Sequence, residues 1–178
     1  MEAEKKATLL AAMAQHVLEH GLNSASLRPL AKAAGTSDRM LLYHFKTKDA
    51  LIGELLVHLA QSLSASLSQA LPDQRADTRV ACVTEIVSLM RSPQLAGFMQ
   101  VWFDIISSAA RGQPLHHETG KQIIDGFLVW LADRLPENEP RPEKTAKAIL
   151  TLIEGILVMD AFGHRDISDL AIETLLSD

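Results

Sequence analysis

Apolar residues recur at steps of three and four through nearly the whole chain, and no run alternates apolar and polar as a half-buried strand requires. Over residues 2–20, Leu10, Met13, Ala14, Val17 and Leu18 form one stripe, and Gly21 follows where helices commonly stop in a left-handed cap. Ser26 precedes Leu27-Arg28-Pro29-Leu30-Ala31, a helix start with proline in the first turn, where its missing N–H costs little. Gly35 breaks that short helix after Ala34. Ser37 then opens another as its N-cap, and Asp38 suits the positive end of the dipole. Thr47 caps a helix expected from Lys48 to about Ala70, with Ile52, Leu55, Leu56, Leu59, Leu63 and Leu67 on one face and an end at Leu71-Pro72-Asp73. Further helices are predicted at about 75–91, 94–111, 115–135, 142–163 and 166–176. Their boundaries are Ser92-Pro93, Gly112-Gln113-Pro114, the polar stretch from Pro136 to Pro142, and Gly163-His164. The expected fold class is all-α: nine helices, short connections, no internal repeat and no low-complexity segment.

Composition narrows the classes further. The chain has 178 residues, 47% hydrophobic and 22% charged, which fits a soluble globular protein of about one domain and argues against disorder. No stretch reaches the ~18 unbroken apolar residues of a membrane span. The best candidate, Ala148 to Gly163, is interrupted by Glu154 and Asp160, so no membrane partner is expected. Glu2, Glu4, Lys5 and Lys6 do not make the apolar core of a secretion signal. The single cysteine, Cys82, fits a reducing cytoplasm and is most simply a small core residue.

Several chemistries find no support. There is no Gly-rich phosphate loop, no Gly-x-Ser-x-Gly elbow and no His-Glu-x-x-His helix, so neither catalysis nor a cofactor is expected. His16 and His20 lie four apart, and His116-His117-Glu118 sits near a helix start, but neither set supplies the three or four converging ligands of a zinc site. No metal is expected, and His16 and His20 are expected to face solvent.

Charge is distributed unevenly. The net charge of −5 discourages a nucleic-acid reading when taken whole. Residues 1–50, however, hold seven basic and five acidic residues, a balance of +2, against ten and seventeen in the rest, a balance of −7. Such an asymmetry points to a partner for the first segment.

Residues 26–45 are the most informative segment: a short helix, a glycine-containing turn and a second short helix describe a helix-turn-helix. Leu27, Leu30, Leu41 and Phe45 are spaced to bury the inner face, leaving Arg39, Met40, Tyr43 and His44 outside. A helix fits the major groove with its N-terminal residues at base edges, while flanking hydroxyls, amides and cations hold phosphates. Arg39 suits a bidentate bond to guanine, and Met40 suits a thymine methyl group. Ser26, Thr36, Tyr43 and Lys48 suit phosphates, and Arg28, Ser37 and His44 complete the candidate contact set. A helix pair serving only as scaffold for a protein-interaction module remains the alternative.

Residues 7–51 resemble the N-terminal domain of the TetR family of bacterial transcriptional regulators. The resemblance rests on Gly21, Leu30-Ala31, Ala34-Gly35, Ser37, Tyr43-His44-Phe45, Lys48 and Leu51, and it covers about a quarter of the chain. The sequence departs from the family pattern at Arg39, where a small residue is common, and at Leu42, where an aromatic is common. The resemblance implies a helix-turn-helix domain at residues 1–47 and a helical ligand-binding and dimerisation domain at 48–178. It implies a homodimer built on the last two helices, a double-stranded DNA operator as partner, and a small-molecule effector that releases the DNA.

The second part of the chain offers candidates for those roles. Ile149, Ile153, Ile156, Leu157 and Asp160, with Ile167, Leu170 and Ala171, are candidates for the dimer interface, because a helix apolar on several sides needs several partners. Core positions are the alternative. Phe98, Met99, Trp102, Phe103, Ile106, Phe127, Trp130 and Met159 are candidates for an adaptable apolar ligand site, although the same spacing serves plain core packing. Asp160, set in an apolar run, needs a partner, which is a cationic ligand, a nearby arginine or the dimer mate, with a structural partner favoured over a ligand.

Overall fold

A computed structural model describes residues 2–71 and 74–176. Among the described residues there are nine α-helices and no strand: α1 (Glu2–His20), α2 (Leu27–Ala33), α3 (Asp38–Phe45), α4 (Lys48–Ala70), α5 (Arg79–Met90), α6 (Ala96–Ala110), α7 (Pro114–Arg134), α8 (Pro142–Ala161) and α9 (Arg165–Leu176). Short 3-10 turns at Leu22–Ser24 and Pro93–Leu95 lead toward α2 and α6. The helix end expected at Pro72-Asp73 lies outside the described residues.

The largest boundary error is at α5, which starts at Arg79 rather than near residue 75. The backbone N–H of Ala76 donates to the Arg134 carbonyl at 3.0 Å, and the Arg75 guanidinium donates to the Leu135 carbonyl at 3.3 Å. Those bonds hold the segment away from a helical path, and Thr78 then caps α5 by accepting from the Ala81 N–H at 3.0 Å.

The chain packs as two units, residues 1–66 with 93–123, and residues 67–92 with 124–178. In the first, the α1 stripe of Leu9, Met13, Ala14 and Val17 meets Leu30 and Ala31 of α2, Leu41 and Phe45 of α3, Leu51, Ile52, Leu55, Leu56 and Leu59 of α4, and Val101 and Ile105 of α6. Leu10 and Leu18, expected in the stripe, pack at its edge instead. Helix α6 lies directly on α1 at Gly97, where a Cβ would come within 2.5 Å of the Leu18 carbonyl oxygen. Asp104 of α6 accepts from the Leu22 N–H at 2.8 Å and from the Asn23 amide at 3.4 Å, which fixes the chain beyond α1. Packing therefore does not divide at residue 47. By length and composition α4, 23 residues long, is apolar enough to cross a membrane, more so than the stretch from Ala148. Its apolar face is nonetheless part of this core.

In the second unit, Cys82, Val83, Ile86, Val87 and Met90 of α5, Leu131 of α7, Leu135 and Ile172 of α9 are buried with Ala146, Ile149, Leu150, Ile153, Ile156 and Leu157 of α8. Four residues expected at a dimer interface, Ile149, Ile153, Ile156 and Leu157, are thus interior to the protomer. Their periodicity reports packing against α5 and α9. Asp160 has a partner inside the protomer as well. Arg91, which ends α5, donates to its two carboxylate oxygens at 2.6 and 3.0 Å and to Asp169 of α9 at 2.8 Å. Burial raises the Asp160 carboxyl, but hydrogen bonds from Arg91 and Ser168 and the Arg91 charge outweigh it and hold the group below its ordinary pKa. Ser168 is itself buried and donates to the Ile156 carbonyl at 3.3 Å, tying α9 to α8.

Cys82 is buried as expected. Its thiol is pushed up to about 11 by burial, with Arg134 lowering and Glu85 raising it, which leaves it protonated and unreactive at neutral pH.

Candidate nucleic-acid interface

The candidate interface is built by two helix ends and the turn between them. Helix α2 closes with Gly35 at φ 62°, its N–H donating to the Lys32 carbonyl at 3.2 Å while the Thr36 N–H donates to the Ala31 carbonyl at 2.9 Å. That pair of bonds is the Schellman closure, and a side chain at Gly35 would strain it. Two residues later Ser37 caps α3, accepting from the Met40 N–H at 3.3 Å. Ser26 stands at the N-cap of α2 in extended conformation, but its side chain makes no capping bond.

Burial separates the two sides of α3. Leu41 is fully buried and Phe45 nearly so, with Leu30 and Ala31 of α2 beneath them. Arg39 is exposed and Tyr43 is 61% exposed, whereas Met40 and His44, expected outside, are half-buried. The His44 ring meets the Tyr43 ring edge-on, with centroids 5.3 Å apart. Ser26, Arg28, Ser37 and Lys48 are exposed, and Thr36 is half-buried. The candidate contact set is therefore mainly at the surface, with Arg39 and Tyr43 exposed on α3 away from its buried pair.

The first turn of α4 follows α3 after two residues. Thr47 caps it, accepting from the Ala50 N–H at 3.0 Å, and Lys48 begins the helix. Behind α3, Lys6 of α1 pairs with Glu54 of α4 at 2.7 Å while its ammonium sits 4.9 Å from the centre of the buried Phe45 ring. One cation thus ties α1 to the end of α3 and to α4. Lys46, between α3 and α4, was not a candidate from sequence. It is exposed and holds φ 69°, the one positive φ among the described non-glycine residues. Nothing in the identity of a lysine signals that backbone.

The remaining candidates scatter. Phe98, Met99, Trp102, Phe103 and Ile106 lie on α6 in the first unit, where Phe98 and Trp102 pack against the core. Phe127, Trp130 and Met159 lie in the second, with the Phe127 and Trp130 rings 5.0 Å apart. Ile167 and Leu170 are exposed on α9 and Ala171 is half-buried. Among the described residues no group of three or more His, Cys, Asp or Glu is placed to hold a metal ion. His16 and His20 stack at 4.5 Å, and His20 Nδ1 donates to the His16 carbonyl at 3.0 Å. His16 does not simply face solvent, because its Nε2 is buried without a hydrogen-bond partner. The His116 ring is held below its ordinary pKa by burial and by the Arg111 charge.

Comparison with known proteins bears on this geometry. Residues 9–55 match the family model for bacterial regulatory proteins of the tetR family. The helix-turn-helix transcriptional regulator BetI of Serratia proteamaculans is 25% identical across 90% of this chain and 83% of its own. BetI of Burkholderia ambifaria is 24% identical, covering all of this chain and 93% of its own. A transcriptional regulator from Rhodococcus shares the fold with a TM-score of 0.69 at 24% identity, covering 94% of this chain and 91% of that one. The multidrug binding protein EbrR, solved with imidazole, does so with a TM-score of 0.69 at 18% identity, covering 98% and 91%. The matched segment runs from the α1 stripe through the turn at Gly35 and the reading helix to Leu55 in the α4 core, the same residues that build the exposed face described above. Residues 9–55 are thus similar to bacterial regulatory proteins of the tetR family, and over most of its length the chain is similar to helix-turn-helix transcriptional regulators.

Proposed function

We propose that the protein is a cytoplasmic repressor that binds a near-palindromic operator as a homodimer and leaves it when a small apolar or aromatic effector binds. The observation that carries the reading is the division of α3: Leu41 and Phe45 anchor it while Arg39 and Tyr43 stand exposed. Arg39 would read a base edge, with Met40 beside it, and Ser26, Arg28, Thr36, Ser37, Tyr43, His44 and Lys48 would hold the phosphates or support that hold. The functional division after residue 47 is retained in this sense, as a reading head carried on a shared core.

Dimerisation would use the exposed apolar side chains Val158 of α8 and Phe162 just after it with Ile167 and Leu170 of α9, in place of the interior residues expected from sequence. Two-fold symmetry of the protein would then be mirrored in the operator. For the effector, the α6 group and the Phe127–Trp130–Met159 group are separate candidates. The fold shared with the multidrug binding protein EbrR supports a small-molecule role in general terms.

The test is selection from random duplex DNA with the purified chain. Enrichment of two related half-sites supports the reading. No enrichment at low salt would leave a helical interaction module as the better account. A small molecule that raises the melting temperature and lowers operator affinity would identify the effector.

A further inference from the structure

Among the described residues, Lys46 is the only one other than glycine whose backbone adopts positive φ, with φ 69° and ψ −56°. The Thr47 N–H donates to the Phe45 carbonyl at 2.9 Å across it, so the link between α3 and α4 is a γ-turn of the rare, strained hand. A side chain there is disfavoured, and glycine would adopt the turn at no steric cost. Strain of this kind persists where the surroundings over-determine it, and it clusters at functional positions.

The lysine side chain supplies a reason for its presence. Its ammonium turns back onto α3, donates to the Tyr43 carbonyl at 3.1 Å and lies 5.5 Å from the centre of the Tyr43 ring. Its backbone N–H donates to the Leu42 carbonyl at 2.9 Å. One residue therefore satisfies two of the last carbonyls of the reading helix. Those carbonyls carry the negative end of the helix dipole, which repels a phosphate. A cation seated on the Tyr43 carbonyl reverses the sign of that end beside the exposed Tyr43 side chain.

We propose that Lys46 is a phosphate-binding residue of the DNA interface, held by its strained turn so that its ammonium covers the carbonyl end of α3 and meets the duplex backbone together with the Tyr43 hydroxyl. The proposal rests on the DNA-binding reading above. The phosphate is one of the duplex backbone, and no base is read, so the contribution is the same for every sequence.

The experiment measures duplex affinity against salt concentration for the wild-type chain and for Lys46→Gly, Lys46→Gln and Lys46→Arg. Each phosphate neutralised contributes about 0.9 to the slope of log affinity against log salt. Lys46→Gly relieves the backbone and removes the cation. Its melting temperature is expected to match or exceed that of the wild type, while its affinity at moderate salt falls about three- to tenfold and the slope loses about one unit. Lys46→Gln, which keeps a side chain on the turn, is expected to show the same loss of slope, and Lys46→Arg to restore it. A wild-type slope in both neutral variants overturns the proposal, whether or not their affinity changes, and leaves DNA binding itself intact. A wild-type chain that retains no duplex at low salt overturns both readings.

Discussion

Helices α3 and α9 are built on the same local plan and turn opposite surfaces outward. Each buries a pair of side chains four residues apart, Leu41 and Phe45 in α3 and Ser168 and Ile172 in α9. The outward side of α3 carries Arg39 and Tyr43, a cation and an aromatic with a polar tip, which lose little by standing in water and gain from a polyanion. Helix α9 exposes Ile167, 62%-exposed Leu170 on the side opposite its buried pair and, in its last turn, 68%-exposed Leu175, and Phe162 just before it is 77% exposed. Exposed apolar groups such as these gain nothing from solvent and a good deal from a protein surface. The contrast teaches that the buried pair fixes where a helix sits, whereas the exposed pair specifies what it meets.

The largest effect should come from breaking what holds α9 in place. Arg91 bridges Asp160 and Asp169, and the side chains of Arg91 and Asp160 are only 20% and 11% exposed. Asp160→Asn leaves that guanidinium short of one carboxylate in a partly desolvated place. It should cost about 2–4 kcal/mol of unfolding free energy, below the range for a fully buried pair because some solvent screening remains. Urea denaturation measures it. The pH dependence has a definite sign. A carboxyl whose pKa is depressed in the folded state contributes stability above its unfolded value and loses it as pH falls through the folded one. Asp160 and Glu139 are both depressed. The Arg79 hydrogen bond is the main cause at Glu139, opposed by burial and aided by Thr145. Wild-type stability should therefore drop on acidification below the ordinary carboxylate range, and Asp160→Asn should show a shallower drop. An equal drop in both would remove Asp160 from the account.

Much of this contrast was legible in the sequence, and the reason is periodicity. The positions of Leu41, Phe45 and the α4 leucines follow from three- and four-residue spacing, and the helix caps at Ser37, Thr47 and Gly35 follow from side-chain chemistry that acts locally. What periodicity does not distinguish is burial within a protomer from burial between protomers, because both select the same residues. Ile149, Ile153, Ile156 and Leu157 fit an interface on that ground, and they face the protomer interior. The start of α5 was missed for a related reason, since Ala76 and Arg75 bond to residues about sixty positions away. The Lys46 turn was invisible because its signal is a conformation, and lysine does not advertise it.

A second, smaller effect tests the α3 half of the comparison. Arg39→Ala removes an exposed side chain, so the stability of the fold should change by less than about 0.5 kcal/mol. Its operator affinity should fall by about 1–3 kcal/mol, with preference relaxed at a single base position. Lys48→Ala should instead weaken all duplexes alike. Competition with a panel of single-base operator variants separates the two. Equal losses across the panel for both variants would show that Arg39 holds backbone rather than reading a base.

The smallest effect on the folded protomer is expected at Leu170, and there the comparison is sharpest. Leu170→Asp places a charge on a side chain that already stands in water within one chain, so protomer stability should move by no more than about 0.5 kcal/mol. In a dimer formed through this residue the same carboxylate would be taken out of water, and desolvating a charge is expensive. Sedimentation velocity should accordingly show the wild type as a dimer and the variant as a monomer, with the same far-ultraviolet dichroism. Operator affinity should fall for the variant even though the reading helix is untouched, because two half-sites no longer bind as one unit. If Leu170→Asp remains dimeric, the exposed apolar side of α9 is not the interface. The likeness between α3 and α9 would then end at their buried pairs.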